Sequence, residues 1–183
     1  GLYADAVSVF ESLLSRPAET RYWKWERATR VNAADCYQRW CRSLAVHGDL
    51  ARSVEKVERA FAILVDMPTE QWSHARWCKV MANTLDSWFR FSGDSCAAPL
   101  KAVEDVTRVQ LLPLERLRGL SWYADRTSDP RAFAVIDRLG EERRTASTTS
   151  APEGTRLGGT VVHVATGGDY YFVEDGMNVR WFS

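Results

Sequence analysis

The chain has no net charge, few histidines and no long hydrophobic run. Its 24 basic and 24 acidic residues balance, so no overall field draws it toward nucleic acid or an anionic membrane. With only three histidines, it offers few groups for metal binding or for acid–base catalysis. Every apolar run is too short to span a bilayer. These features predict a globular chain that lacks a transmembrane segment.

Cysteine is also scarce. The four cysteines lack the dense spacing of a secreted disulfide framework and fall inside helical patterns, which favours reduced thiols and a cytoplasmic location. A zinc site would need three of them and a histidine, and it would lack the Cys-x-x-Cys spacing typical of such sites. Its ligands would be Cys36, Cys41, His74 and Cys78. We therefore expect neither a metal nor another cofactor.

Most of the sequence places apolar residues at helical spacing. Residues 34–68 predict two helices joined at Gly48-Asp49, because each half carries one apolar stripe. Gly48 suits the left-handed end of the first helix, and Asp49 suits the N-cap of the second. The same plan recurs in two later hairpins, which turn at Gly93-Asp94 and at Ser128-Asp129-Pro130.

The opening residues carry a helical-repeat motif, Gly-x-Tyr-x-x-Ala-x-x-x-Phe followed by a proline. The residues of this motif are Gly1, Tyr3, Ala6, Phe10 and Pro17. They resemble the second helix of a tetratricopeptide repeat. Glycines at the turns recur about every 45 residues, which resembles the long-helix variants of that family found in kinesin light chains. Over about Gly1–Leu139, the resemblance implies antiparallel hairpins stacked as a solenoid, starting inside a repeat of a longer protein.

The C-terminal part changes to the pattern of β-strands. Residues 141–156 are polar and rich in serine and threonine, which predicts a linker. Three β-branched and aromatic runs follow, and the glycine turns between them predict two antiparallel hairpins. The runs are Thr160–Val164, Tyr170–Val173 and Val179–Phe182. The predicted fold is therefore mainly α, with a helical array over 1–140, a linker over 141–156 and a short β module over 157–183.

This β module resembles the opening of a cold-shock domain, a small barrel of the oligonucleotide-binding kind. Gly159-Thr160-Val161 matches the opening of that family, and Tyr170–Val173 matches its first RNA-binding motif. The resemblance implies that exposed aromatic side chains stack on bases, with a histidine in place of the family's stacking tryptophan. The residues it assigns to nucleic acid are His163, Tyr170, Phe172 and Phe182.

Basic and aromatic residues alternate near the start of the predicted array. Such a strip could bind a phosphate backbone and stack bases, or it could be a helix whose aromatic residues pack while its arginines stay solvated. The basic residues of this strip, within Thr20–Arg42, are Arg21, Lys24, Arg27, Arg30, Arg39 and Arg42, and those considered for nucleic acid are Arg21, Lys24 and Arg27. The residues considered for a protein partner are Tyr22, Trp23, Trp25 and Arg39.

Stacked hairpins form a continuous surface that suits a protein or peptide partner. The sequence therefore predicts a non-enzymatic recognition or scaffold segment, with any catalytic domain elsewhere in a larger protein. Two alternatives stay open. The cold-shock-like strands could bind single-stranded nucleic acid, or polar residues such as His74, Cys78 and Asp86 could converge in an enzyme built on a helical bundle.

Overall fold

The computed structural model describes residues 2–16, 23–93, 95–148, 160–164, 171–175 and 178–182. In this part of the chain there are seven α-helices: α1 (Leu2–Leu14), α2 (Trp23–Val46), α3 (Leu50–Val65), α4 (Ala75–Phe91), α5 (Ala97–Val109), α6 (Arg118–Thr127) and α7 (Pro130–Thr148). Three strands follow: β1 (Thr160–Val164), β2 (Tyr171–Asp175) and β3 (Asn178–Phe182). The chain divides into two compact units, Gly1–Gly140 and Glu141–Ser183.

The mainly helical fold is confirmed, and the turn between α2 and α3 forms as the sequence predicts. Gly48 adopts a left-handed conformation with a φ of 81°. The side chain of Asp49 accepts a hydrogen bond from the backbone N–H of Arg52 at 3.2 Å, so it caps the N-terminus of α3. This turn reverses the chain within three residues and places the end of α2 beside the start of α3.

The two later turns also contain a left-handed residue, but their caps differ. Asp94 lies outside the described residues, and the N-cap of α5, Cys96, makes no side-chain capping hydrogen bond. Gly93 is left-handed, with a φ of 60°. At the last turn Ser128 takes the left-handed conformation instead of a glycine, with a φ of 55°. Asp129 then accepts a hydrogen bond from the backbone N–H of Arg131 at 2.9 Å, which caps α7 at the predicted position.

Helix α4 is the centre of the helical unit. It packs against α2, α3, α5 and α6. Its buried residues face several neighbours, as expected for a helix that is covered on most sides: Trp77, Val80, Met81, Ala82, Thr84, Leu85, Asp86, Ser87, Trp88 and Phe89. The indole N–H of Trp77 donates to the carbonyl of Leu64 at 3.2 Å, which ties α4 to α3. The core of the helical unit therefore runs through α4.

In the C-terminal unit the three strands form one antiparallel sheet in the order β1-β2-β3. Val161 lies opposite Val173, and Phe172 lies opposite Trp181. The register of the first pair shifts between Val161 and His163. That these strands belong to a cold-shock-type barrel stays a prediction.

Among the described helices, none combines the length and the apolar character that crossing a membrane requires.

Candidate functional site

A groove lies where the ends of three helices meet, at the C-termini of α2 and α4 and the first turn of α3. Its volume is about 540 Å³, within the range of ligand-binding sites in proteins. It is lined by Arg42, Ala45, Val46, Leu50, Asp86, Arg90 and Phe91. The groove thus combines apolar walls with three charged side chains.

The apolar wall of the groove is formed by two residues that flank the α2–α3 turn. Val46 is the last residue of α2 and is 84% exposed, while Leu50 is the first residue of α3 and is 51% exposed. Because Gly48 turns the chain between them, both side chains belong to the same short surface. A contiguous exposed apolar surface beside a groove is a feature of binding surfaces, and Val46 and Leu50 together form a small one.

The charged floor is anchored by Asp86, which is only 6% exposed. One carboxylate oxygen accepts a hydrogen bond from the backbone N–H of Gly119 at 2.6 Å. The other lies 2.9 Å from Nε of Arg90. Both oxygens of Asp86 therefore have partners, and one of those partners is the first turn of α6, where a negative charge is favoured.

Arg42 is held by neutral groups. Its Nε donates to the hydroxyl of Ser87 at 3.2 Å. When the amide of Gln38 is oriented so that its oxygen faces Arg42, that oxygen lies 3.0 Å from Nη2, as the chemistry requires because a guanidinium only donates. Gln38 and Ser87 are both buried. In the described part of the chain, Arg42 makes no ion pair with a carboxylate.

Only some of the residues predicted to bind nucleic acid or a protein partner lie within the described part of the chain. Arg21, Tyr22 and Tyr170 lie outside the described residues, and so do the side chains of Trp23, Lys24, Trp25, His163, Phe172 and Phe182. Their proposed roles stay predictions. The backbones of Trp23, Lys24 and Trp25 form the first turn of α2, while His163, Phe172 and Phe182 lie on β1, β2 and β3.

The described members of the basic strip are partly neutralised. Arg27 lies half-buried on α2. Arg39 is exposed and pairs with Asp35 at 3.1 Å. Arg30, on the same helix, pairs with both Glu26 and Asp66. These carboxylates weaken the electrostatic attraction between the arginines of this surface and a phosphate backbone.

The cysteines have the properties of packed thiols. All four are free, and burial raises the pKa of the Cys36, Cys41 and Cys78 thiols. A raised pKa keeps a thiol protonated and therefore poorly nucleophilic. Among the described residues, no group of three or more histidine, cysteine or acidic side chains is placed to hold a metal ion.

The three residues considered for an enzyme do not converge. His74 caps α4 by accepting a hydrogen bond from the backbone N–H of Arg76 at 3.3 Å. Cys78 donates to the carbonyl of Trp72 at 3.2 Å. Asp86 lies eight residues beyond Cys78 on α4, which is about 12 Å along the helix axis. Each of the three therefore makes a separate structural contact.

Sequence reasoning did not identify the groove. One signal was available, since Val46 and Leu50 flank a turn at positions where polar residues are usual. A second signal was the pair of polar residues, Gln38 and Ser87, inside helices that bury apolar faces. Neither signal reveals that the C-terminal ends of α2 and α4 meet at one groove.

No protein-family model matches the chain, and it has no significant match among curated proteins or solved structures. The resemblances to tetratricopeptide repeats and to cold-shock domains therefore rest on their motif residues alone. The function must be argued from the geometry of the groove.

Proposed function

We propose that the helical unit is a non-enzymatic recognition module that binds a peptide segment of a protein partner in the groove between α2, α3 and α4. The observation that carries this proposal is the pair of exposed apolar side chains, Val46 and Leu50, beside a floor fixed by buried hydrogen bonds. Burial of these side chains by a partner would supply the main favourable free energy.

The floor of the groove is preorganised. Gln38 and Ser87 lie within hydrogen-bond distance of each other, at 3.0 Å, and tie α2 to α4. Asp86 ties α4 to α6. Because these contacts already exist in the free chain, a ligand would not need to order the helices, and less of its binding energy would be lost.

The shape of the site favours a peptide over a small molecule. Small-molecule sites commonly bury most of the ligand surface inside a cavity. Here the apolar walls project into water from both sides of a turn, with Val46 exposed over most of its surface. A chain segment laid across the surface can cover such walls, and it can extend beyond them.

The test is selection of short random peptides, displayed on phage, against the purified full-length chain. Binding of the selected peptides is then measured by fluorescence anisotropy with a variant carrying Val46→Ser and Leu50→Ser. The matched control carries Val109→Ser and Leu111→Ser, since these residues are also exposed and apolar, at 55% and 43%, with Val109 the last residue of α5 and Leu111 two residues beyond it.

We expect the groove variant to bind the selected peptides at least about tenfold more weakly, because two apolar contacts are lost. The control variant should bind them like the unmodified chain. The proposal is contradicted if no peptide is enriched, or if both variants bind equally well.

A further inference from the structure

We infer that the peptide taken by the groove is acidic, with an aspartate or glutamate beside its apolar residues, and that its carboxylate binds Arg42 and Arg90. This inference rests on the proposed function, because it specifies the ligand of the same groove. It is carried by the balance of charge among the lining side chains.

The groove holds an excess of positive charge. Its charged lining consists of two arginines and one carboxylate, Arg42, Arg90 and Asp86. Both oxygens of Asp86 are already engaged, one by Gly119 and one by Arg90. Asp86 is therefore placed to balance one arginine, and the charge of the second is left for a ligand.

Among the residues that the structure describes, no carboxylate pairs with Arg42. Its partners, Ser87 and Gln38, are neutral and contact only Nε and Nη2. They fix the direction of the guanidinium without neutralising it. A guanidinium carries five N–H donors in a planar fork, so donors remain after these contacts are made. A fixed planar fork with a free charge is well suited to binding a carboxylate.

The helix ends do not reverse this balance. The C-termini of α2 and α4 place partial negative charge near the groove. The N-termini of α3 and α6 place partial positive charge there, with Gly119 of α6 in direct contact with Asp86. Since helix ends of both signs lie near the groove, the formal charges of the lining side chains carry the inference.

The apolar walls require that the acidic residue has apolar neighbours. Arg42 is one turn before Val46 on α2, and Arg90 is adjacent to Phe91 on α4. A carboxylate at the arginines therefore places the flanking residues of the same peptide near Val46, Leu50 and Phe91. A purely acidic peptide would leave these side chains in water, and a purely apolar peptide would leave Arg42 without a partner.

The test compares a selected peptide with a twin in which every aspartate becomes asparagine and every glutamate becomes glutamine. Both are measured by fluorescence anisotropy, at low and physiological salt, with the full-length chain and with Arg42→Gln. Arg108→Gln is the control, because Arg108 is exposed and lies near the end of α5. Arg42→Lys, which keeps the charge but loses the planar fork, is included, and urea unfolding verifies that each variant is folded.

We expect the twin peptide and Arg42→Gln each to weaken binding about twofold to fivefold, because Arg42 is exposed and solvent screens its charge. Arg42→Lys should restore part of the affinity, and Arg108→Gln should have no effect. Added salt should weaken the binding of the acidic peptide more than that of its twin.

The outcomes separate this inference from the proposed function. If peptides lose affinity with Val46→Ser and Leu50→Ser but lack acidic residues or ignore Arg42→Gln, the groove is a peptide site and the inference is wrong. If the selected peptides are insensitive to Val46→Ser and Leu50→Ser, or if none is selected, both proposals are overturned.

Discussion

Gly119 lies at the closest approach of α6 to α4. A Cβ atom at this position would lie 2.7 Å from the carbonyl oxygen of Asp86 and 2.8 Å from Cβ of Phe89. Both atoms belong to a buried part of α4 and have little room to move. The same close approach brings the N–H of Gly119 to the Asp86 carboxylate, so one glycine makes the anchor of the groove floor possible.

We predict that Gly119→Ala lowers the free energy of unfolding by about 1–3 kcal/mol, because the added methyl group would force two packed helices apart. Gly140→Ala is the matched control. Gly140 also lies within a helix, but a Cβ atom there would meet nothing within 4 Å, so the higher helix propensity of alanine should stabilise the chain by about 0.5–1 kcal/mol. Urea unfolding measures both changes, and equal effects of the two substitutions would contradict the close approach.

At the scale of single residues, only local roles could be predicted from the sequence. Gly48 and Asp49 interact with neighbours in the chain, so their turn and cap follow from residue type and spacing. Asp86 and Gly119 are 33 residues apart, and no local pattern shows that a carboxylate on one helix will meet a backbone N–H on another. For this reason the sequence alone makes Asp86 a candidate for catalysis, whereas in the structure it connects α4 to α6.

At the scale of elements, α1 is attached to the rest of the helical unit by a polar contact as well as by its apolar stripe. Glu11 accepts two hydrogen bonds from Arg59 of α3, at 2.9 and 2.8 Å, and one from the hydroxyl of Tyr37 on α2 at 2.9 Å. The hydrogen bonds from Arg59 are the main reason that the pKa of Glu11 lies below its ordinary value. The charged form of Glu11 therefore stabilises the docking of α1.

The pKa of Glu11 is lower in the folded chain than in the unfolded chain, where it is about 4.3. The carboxylate therefore stabilises the fold at pH values above the unfolded pKa. This stabilisation is lost as the pH falls through the folded pKa. We predict that Glu11→Gln lowers the free energy of unfolding by about 0.5–1 kcal/mol at neutral pH, a modest value because both partners are partly exposed. The difference should shrink as the pH falls through the folded pKa of Glu11, where the carboxylate becomes protonated.

Urea unfolding at several pH values measures this effect. Glu58→Gln is the control, because Glu58 is an exposed glutamate on α3 beside Arg59. A difference between Glu11→Gln and the unmodified chain that stays constant from neutral to acidic pH would contradict the proposed role of the carboxylate.

The existence of the helices could be predicted because an apolar stripe is a property of each segment by itself. The central position of α4 could not, since its residues are buried against four neighbours and a stripe reveals only one face. The charge–charge contact between Glu11 and Arg59 also joins distant segments. Interactions between helices depend on which helices pack together. The apolar pattern of a single helix does not reveal its partner.

At the scale of the whole molecule, the proposed function depends on three helix ends that come from two distant segments. Residues 42–50 supply one side of the groove, and residues 86–91 supply the other. Each segment alone resembles an ordinary helix end. The packing of α2 against α4 places an apolar wall next to Arg42, which pairs with no carboxylate in the described part of the chain, and that combination is why we propose peptide recognition at this surface.

The most direct test of this account is hydrogen exchange of the full-length chain, followed by mass spectrometry, with and without a peptide selected against it. We predict slower exchange in residues 42–50 and 86–91 when the peptide is bound, and no change in residues 105–111 at the end of α5. Protection that appears elsewhere in the chain, with residues 42–50 and 86–91 unchanged, would contradict the assignment of the groove as the binding site.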